Sequence, residues 1–314
     1  MAGASLFTLL DDIAALLDDV AVLSKLAAKK TAGVLGDDLA LNAQQVTGVS
    51  AARELPVVWA VAKGSMLNKA ILIPAALALS ALEVWLRSRG INIPIIISLM
   101  LVGGAFLCFE GVEKLVHHFF HKDSDEDMAR REERLLALAD PSVDLVAMEK
   151  EKVKGAIRTD FILSAEVIVL TLGVVATATL MEQLGTLVIV GALMTVFVYG
   201  VVACIVKMDD VGLWLSTKGG IWAPIGRGLV AATPWLMKTL SVVGTLAMFL
   251  VGGGIVVHNV PWVHHLVSGI VPASGVLATL GNALASLLTG VVVGAVVLGV
   301  VYLIGRLRGA KPAH

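Results

Sequence analysis

The chain has 314 residues, 57% of them hydrophobic and only 16% charged, with a mean hydropathy of +0.88 and a formal net charge of −1. Soluble domains are nearer half apolar and a quarter charged, so this is a membrane composition. The charge balance offers nothing to nucleic acid, and none is expected as a partner; Cys108 and Cys204 are isolated in apolar runs, with no CxxC spacing.

The first element is "TLLDDIAALLDDVAVL", Thr8 to Leu23. On a helix, Leu6, Leu9, Leu10, Ile13, Leu16, Leu17, Val20 and Leu23 share one face, and Asp11, Asp12, Asp18 and Asp19 fall opposite. Aspartates at the centre of a spanning helix cost about 3 kcal/mol each, so a lipid-facing span is excluded. A lipid-attracted interfacial helix would carry Lys and Arg there instead. An acidic amphipathic helix on the cytoplasmic side is expected. Its acids either face cytosolic water or line a vestibule for cations. Asp37 and Asp38, directly after Gly36, read as a helix N-cap, with an ion ligand as the alternative. Residues 1–65 together form this acidic N-terminal region.

Apolar stretches near the 20 residues that a bilayer needs follow at about 66–87, 93–116, 161–181, 186–206, 236–257 and 284–306. Lys and Arg gather in 1–65, 114–158, 207–238 and the tail after Tyr302, and thin out in the alternate connections. Basic residues accumulate on the cytoplasmic side, which predicts six spans with both termini cytoplasmic. Residues 66–121 hold the first two spans and 122–158 a cytoplasmic helical hairpin with a solvated charged face. Residues 159–308 hold the other four spans, and 309–314 are a tail. Residues 263–282, interrupted by Pro272 and glycines, read as an outer re-entrant or interfacial segment. The predicted fold class is therefore all-α, a polytopic bundle of about six transmembrane helices plus the amphipathic N-terminal helix. "DDVAVLSK" (Asp18 to Lys25) also resembles "DDVGLWLSTK" (Asp209 to Lys218), a weak sign of repeated halves.

Acids near the spans are the candidate site. Glu110, Glu113, His117 and His121 step along one helical stripe, a spacing that can ligate a metal if a second helix completes the set. In the plainer reading Glu113, His117 and His121 are solvated groups at the inner interface. Glu110 lies about two turns inside. Glu166 lies about 9 Å deeper than Asp160 along the same helix. Intramembrane acids default to a functional role, and pairing with Lys69 or Lys238 is the structural alternative. Asp209 and Asp210 follow at the inner end of the fourth span. All of these fall on one side, which predicts an acidic chamber open to the cytoplasm. Glu110 and Glu166 are its membrane-embedded carboxylates, with Glu113, Asp160 and the aspartate pairs around them. Carboxylates suit Mg²⁺ or Mn²⁺, and histidine participation would favour Zn²⁺. No hydrolase constellation or P-loop occurs, so no enzymatic activity is expected. The expected function is a cation transporter, handling a divalent metal or coupled to protons. The alternative is a non-transporting scaffold or regulator, and a homo-oligomer fits either.

"LLDDIAALLDDVAVLSKLAAKKTAGVLGDDLALNA", "RELPV", "FEGVEKL" and "VKMDD" resemble segments of the YedI-like bacterial inner-membrane proteins, a family classed as a domain of unknown function. The resemblance runs over nearly the whole chain. It implies an integral inner-membrane protein of a Gram-negative bacterium. It implies no activity and carries over no functional residue.

Overall fold

In lipid every backbone N–H and C=O must find its partner within the protein, which favours long uninterrupted helices wherever a chain is apolar. The computed structural model follows that rule; it describes residues 2–32, 35–46, 53–120, 145–218, 220–271 and 275–307. Among the described residues there are nine helices and no strand: α1 (Ala2–Thr31), α2 (Leu35–Val46), α3 (Glu54–Ser88), α4 (Ile95–Phe120), α5 (Leu145–Val174), α6 (Leu180–Thr217), α7 (Trp222–Asn259), α8 (Pro261–Ile270) and α9 (Val276–Leu307). Glu54–Ser88, Ile95–Val116, Leu180–Thr217, Trp222–Asn259 and Leu277–Ile304 are each long and apolar enough to cross a membrane. The chain is thus an all-α protein with the make-up of a multi-pass membrane protein.

The stretch expected as a span at 161–181 is divided. α5 ends at Val174 and α6 starts at Leu180, where Thr179 and Glu182 form a capping box: the Thr179 hydroxyl accepts from the Glu182 N–H and the Glu182 carboxylate accepts from the Thr179 N–H. Arg158, Asp160 and Glu166 keep α5 out of the five apolar helices. The polar 145–158 stretch is the opening of this same helix, not a separate hairpin arm; residues 121–144 lie outside the described residues. α8, only ten residues and about 15 Å long, is too short to span. It buries Val263 and Val267 while Trp262 and Ile270 stay exposed, as an interfacial segment would.

Ion pairs fix the direction of the helices. Lys207, late in α6, lies 3.6 Å from Glu54 at the start of α3, and Arg53 lies 2.6 Å from Glu149 near the start of α5. At the opposite end of the bundle the Glu83 carboxylate accepts from the Ile96 N–H at 2.8 Å and from Arg87 at 3.0 Å. It thereby joins the end of α3 to the start of α4. α7 is the hub, packed on α9, α6, α4 and α2. Its contact with α9 is very close: a Cβ on Gly253 would stand 1.9 Å from the Ser286 carbonyl oxygen. Small residues allow such approach where there is little hydrophobic force between helices.

α1 departs from the expectation. Val20 packs on Gly185 near the start of α6, and Ala27 clusters with Val167, Val190 and Met194. In α2, Leu39 and Ala43 cluster with Val198, Tyr199, Val202 and Ile205. The two helices therefore run along α6 in its own direction, from the Glu83 end towards the Glu54 end, as one path interrupted between Thr31 and Leu35. Asp11, Asp12, Asp18 and Asp19 precede Val20 and are exposed. They belong to the Glu83 end, away from Asp209 and Asp210.

Candidate functional site

Where α2, α3, α5 and α6 meet, each helix contributes polar residues four apart: Asp38 and Asn42, Ser65 and Lys69, Asp160 and Ser164, Thr195 and Tyr199. That spacing stacks both members of a pair on one helical face. Apolar neighbours drive the four faces together, and the polar groups then satisfy one another. Lys69 and Asp160 retain only 7% and 5% of their surface.

Lys69 Nζ donates to Ser65 Oγ at 2.8 Å and to Ser164 Oγ at 2.9 Å. Ser164 Oγ donates in turn to Asp160 Oδ2 at 3.0 Å, so a single hydroxyl relays between the ammonium and the carboxylate. Asp160 also accepts from Asn68 Nδ2 at 3.0 Å and from the Tyr199 hydroxyl at 2.7 Å. Three donors on one carboxylate offset much of the cost of burying its charge. The phenol has a single proton, and the short contact to Asp160 takes it; Asn42 Oδ1, at 3.2 Å, is the weaker partner. Asn42 Nδ2 donates to the Asp38 carbonyl at 2.7 Å, which holds the first turns of α2 to the network. The carboxylates facing the Lys69 charge are those of Asp160 and Asp38. The enclosed space is ≈ 20 Å³, room for about one water.

Depth can be read along α3. Lys69 lies ten residues from Trp59 and sixteen from Trp85, both exposed, or about 15 and 24 Å along the helix axis. Exposed tryptophans mark membrane interfaces. The network then sits near the middle of the bilayer, level with the interruption between α1 and α2.

The acids predicted from the sequence do not all come together. Asp38 and Asp160 line the network; for Asp37 only the backbone is described. Glu166 is buried in α5, nearly two turns past Asp160 and beyond the lining of the cavity. Glu110 pairs with Lys114 at 3.2 Å on α4, and Glu113 is exposed. The side chain of His117 and all of His121 lie outside the described residues. Among the described residues no three His, Cys, Asp or Glu side chains form a group that could hold a metal ion. Asp210 pairs with Lys207, and Asp209 is exposed beside it. The pairing expected for Glu166 with Lys69 or Lys238 gives way to the Ser164 relay from Lys69 to Asp160, and Lys238 is exposed. Sequence reasoning passed over Asn42, Ser65, Asn68, Ser164 and Tyr199. For all but Asn68, whose neighbours four residues away are Gly64 and Leu72, the signal was the polar pair at i and i+4 inside an apolar run, which a search for carboxylates does not detect.

Fold and site together define a class: an all-α membrane protein with an ammonium and a carboxylate joined inside its helix bundle. The chain belongs to the family described as "Protein of unknown function (DUF808)", which it matches over residues 4–300. That match assigns a family of unknown function and does not bear on the resemblance to YedI-like proteins. No curated protein and no solved structure matches the chain.

Proposed function

We propose that the protein is a proton-coupled cation transporter of the bacterial inner membrane, with Asp160 and Lys69 as its coupling centre. The observation that carries this reading is the buried Lys69–Ser164–Asp160 relay at the interruption between α1 and α2. Ionisable groups deep in a membrane are costly and mark ion or proton paths. Interrupted helices with a binding site near the midplane are a recurring plan among transporters.

Access for water is supported by α1. Lys25, Lys29 and Lys30 are exposed, yet they flank Ala27, which packs at the level of Val190 and Met194. The Lys69 stem reaches that same level, since a Cβ on Gly191 would lie 3.4 Å from its Cδ. Facing lipid, each of these lysines would cost roughly 2.5–3.5 kcal/mol, so this face of α1 borders water. Acids stand at both mouths, Asp11, Asp12, Asp18 and Asp19 at one and Glu54, Asp209 and Asp210 at the other, and would draw cations to either. The Glu54 end also carries Arg53, Lys63, Lys207 and Lys218, which favours the cytoplasmic side for it.

The coupling follows from hydrogen-bond chemistry. As a carboxylate, Asp160 can only accept, and Tyr199, Asn68 and Ser164 all donate to it. A proton on Asp160 turns one of its oxygens into a donor and forces one of these partners to turn away. Lys69 then loses its relayed counter-charge. Proton arrival thus loosens the joint between α3, α5 and α6.

Proteoliposomes with an internal pH dye and an imposed proton gradient test this. At least one ion among Mg²⁺, Mn²⁺, Zn²⁺, Na⁺ and K⁺ should dissipate the gradient. Asp160→Asn should slow that dissipation tenfold or more without changing the elution profile of the protein. Equal rates in variant and wild type, or no response to any ion, would overturn the proposal. One observation favours the scaffold reading instead: the four aspartates of α1 form an exposed acidic face that could hold a basic partner. A partner that co-purifies stoichiometrically, and is lost when all four are changed to Asn, would favour it.

A further inference from the structure

The Lys69 head group lies in a setting that resembles an ion cradle. Its ammonium is held by two hydroxyl oxygens from different helices, Ser65 Oγ at 2.8 Å and Ser164 Oγ at 2.9 Å. Both oxygens turn lone pairs towards the nitrogen, as they would towards a metal cation. Ser164 donates its own hydrogen bond to Asp160, which makes its oxygen the richer acceptor. The fixed charges facing the site are Asp38 on α2 and Asp160 on α5, with the neutral Tyr199 hydroxyl on α6. Oxygen ligands and a carboxylate around a small pocket are what hard cations take, and oxygens standing in for a hydration shell are how proteins bind monovalent ions.

We infer that Lys69 is a tethered cation occupying a monovalent-cation site made by Ser65, Ser164 and Asp160, so that removing its side chain exposes a site for a free ion of about the size of ammonium or K⁺. The size follows from the nitrogen–oxygen distances, which suit these ions better than the smaller Na⁺ or Li⁺. Replacing Lys69 by Ala deletes four heavy atoms, and their space joins the ≈ 20 Å³ already enclosed. In the native protein the permanent occupant makes bound alkali metal unnecessary.

Thermal melting of the purified protein in detergent, at constant ionic strength in KCl, NH₄Cl, NaCl, LiCl or choline chloride, tests this. Wild type should melt alike in all five. Lys69→Ala should melt lower in choline and recover saturably, by about 2–4 °C, in K⁺ or NH₄⁺. Adding Ser164→Ala should abolish that recovery. Lys69→Met, which fills the space without the charge, should stay low in every salt. A flat response of Lys69→Ala, or the same response in wild type or Lys69→Met, would overturn the assignment. Should Lys69→Ala be too unstable to purify in choline, its yield becomes the readout: recovery in KCl supports the site, and absence in every salt overturns it. Melting reports occupancy and flux reports transport, so Lys69→Ala can fail here while the wild type still moves ions, or succeed while it moves none.

Discussion

At the residue scale the lesson lies in which acids are held by partners. Glu110 and Glu166 were prominent in the sequence because they interrupt apolar runs, but an apolar run does not show which face a residue takes. Glu110 settles with Lys114 on its own helix, while Asp160 is held by Asn68 of α3 and Tyr199 of α6. Removing one member of a buried charge pair strands the other, at about 3–5 kcal/mol. Lys69→Met and Asp160→Asn should each destabilise the protein by about that much, and the double variant by clearly less than the sum. A melting cycle over the four proteins checks this; strict additivity would mean that the two charges do not sense each other. Tyr199→Phe removes one donor to Asp160 and should cost about 1.5–3 kcal/mol by the same measurement.

At the element scale, the long apolar helices were legible because length and hydropathy alone decide them. α1 and α2 were not: Leu10, Ile13 and Leu17, expected on the packed face, are exposed, and Asp37 and Asp38, expected as an N-cap, lie inside α2 because the helix already starts at Leu35. Four aspartates do exclude a lipid-facing span, but they do not exclude a helix whose narrow buried stripe, Val20, Ser24, Ala27 and Thr31, packs on α5 and α6. The rule asked only about lipid, and protein supplied the cover. Close helix approach was likewise invisible, since "VGGGIVV" does not say which glycine meets a neighbour. Gly253→Val should drive α7 from α9 and lower stability by about 1–3 kcal/mol or more. Gly299→Val on α9, which meets nothing within 4 Å, is the control and should melt like wild type. Equal effects of the two would show that the α7–α9 contact is looser than its geometry.

At the scale of the whole molecule, the class and approximate span positions followed from composition, while the placement of the N-terminal helix did not. Basic residues were counted over 1–65 as one cytoplasmic block, yet Lys25, Lys29 and Lys30 lie partway along the bundle and Arg53 at its end. On the proposed orientation, with the Glu54 end cytoplasmic, the start of α1 faces the opposite side. In a cysteine-free background, Asp18→Cys should react with an impermeant thiol reagent from the same side as Arg89→Cys, and Lys218→Cys only from the other. Labelling of Asp18→Cys together with Lys218→Cys would return the acidic helix to the cytoplasmic side.

The seat of α1 has a consequence for biosynthesis. α1 leaves the ribosome before the helices that receive it, and its groove, between α5 and α6, is complete only at Thr217, 186 residues after Thr31. At bacterial rates of synthesis that delay is on the order of 10–40 s. Too charged to partition into lipid unaided, α1 must wait at the insertion machinery or beside it, so it is seated only after α5 and α6 have followed it. Any chain stalled before α6 would present that helix, still unburied, to membrane proteases.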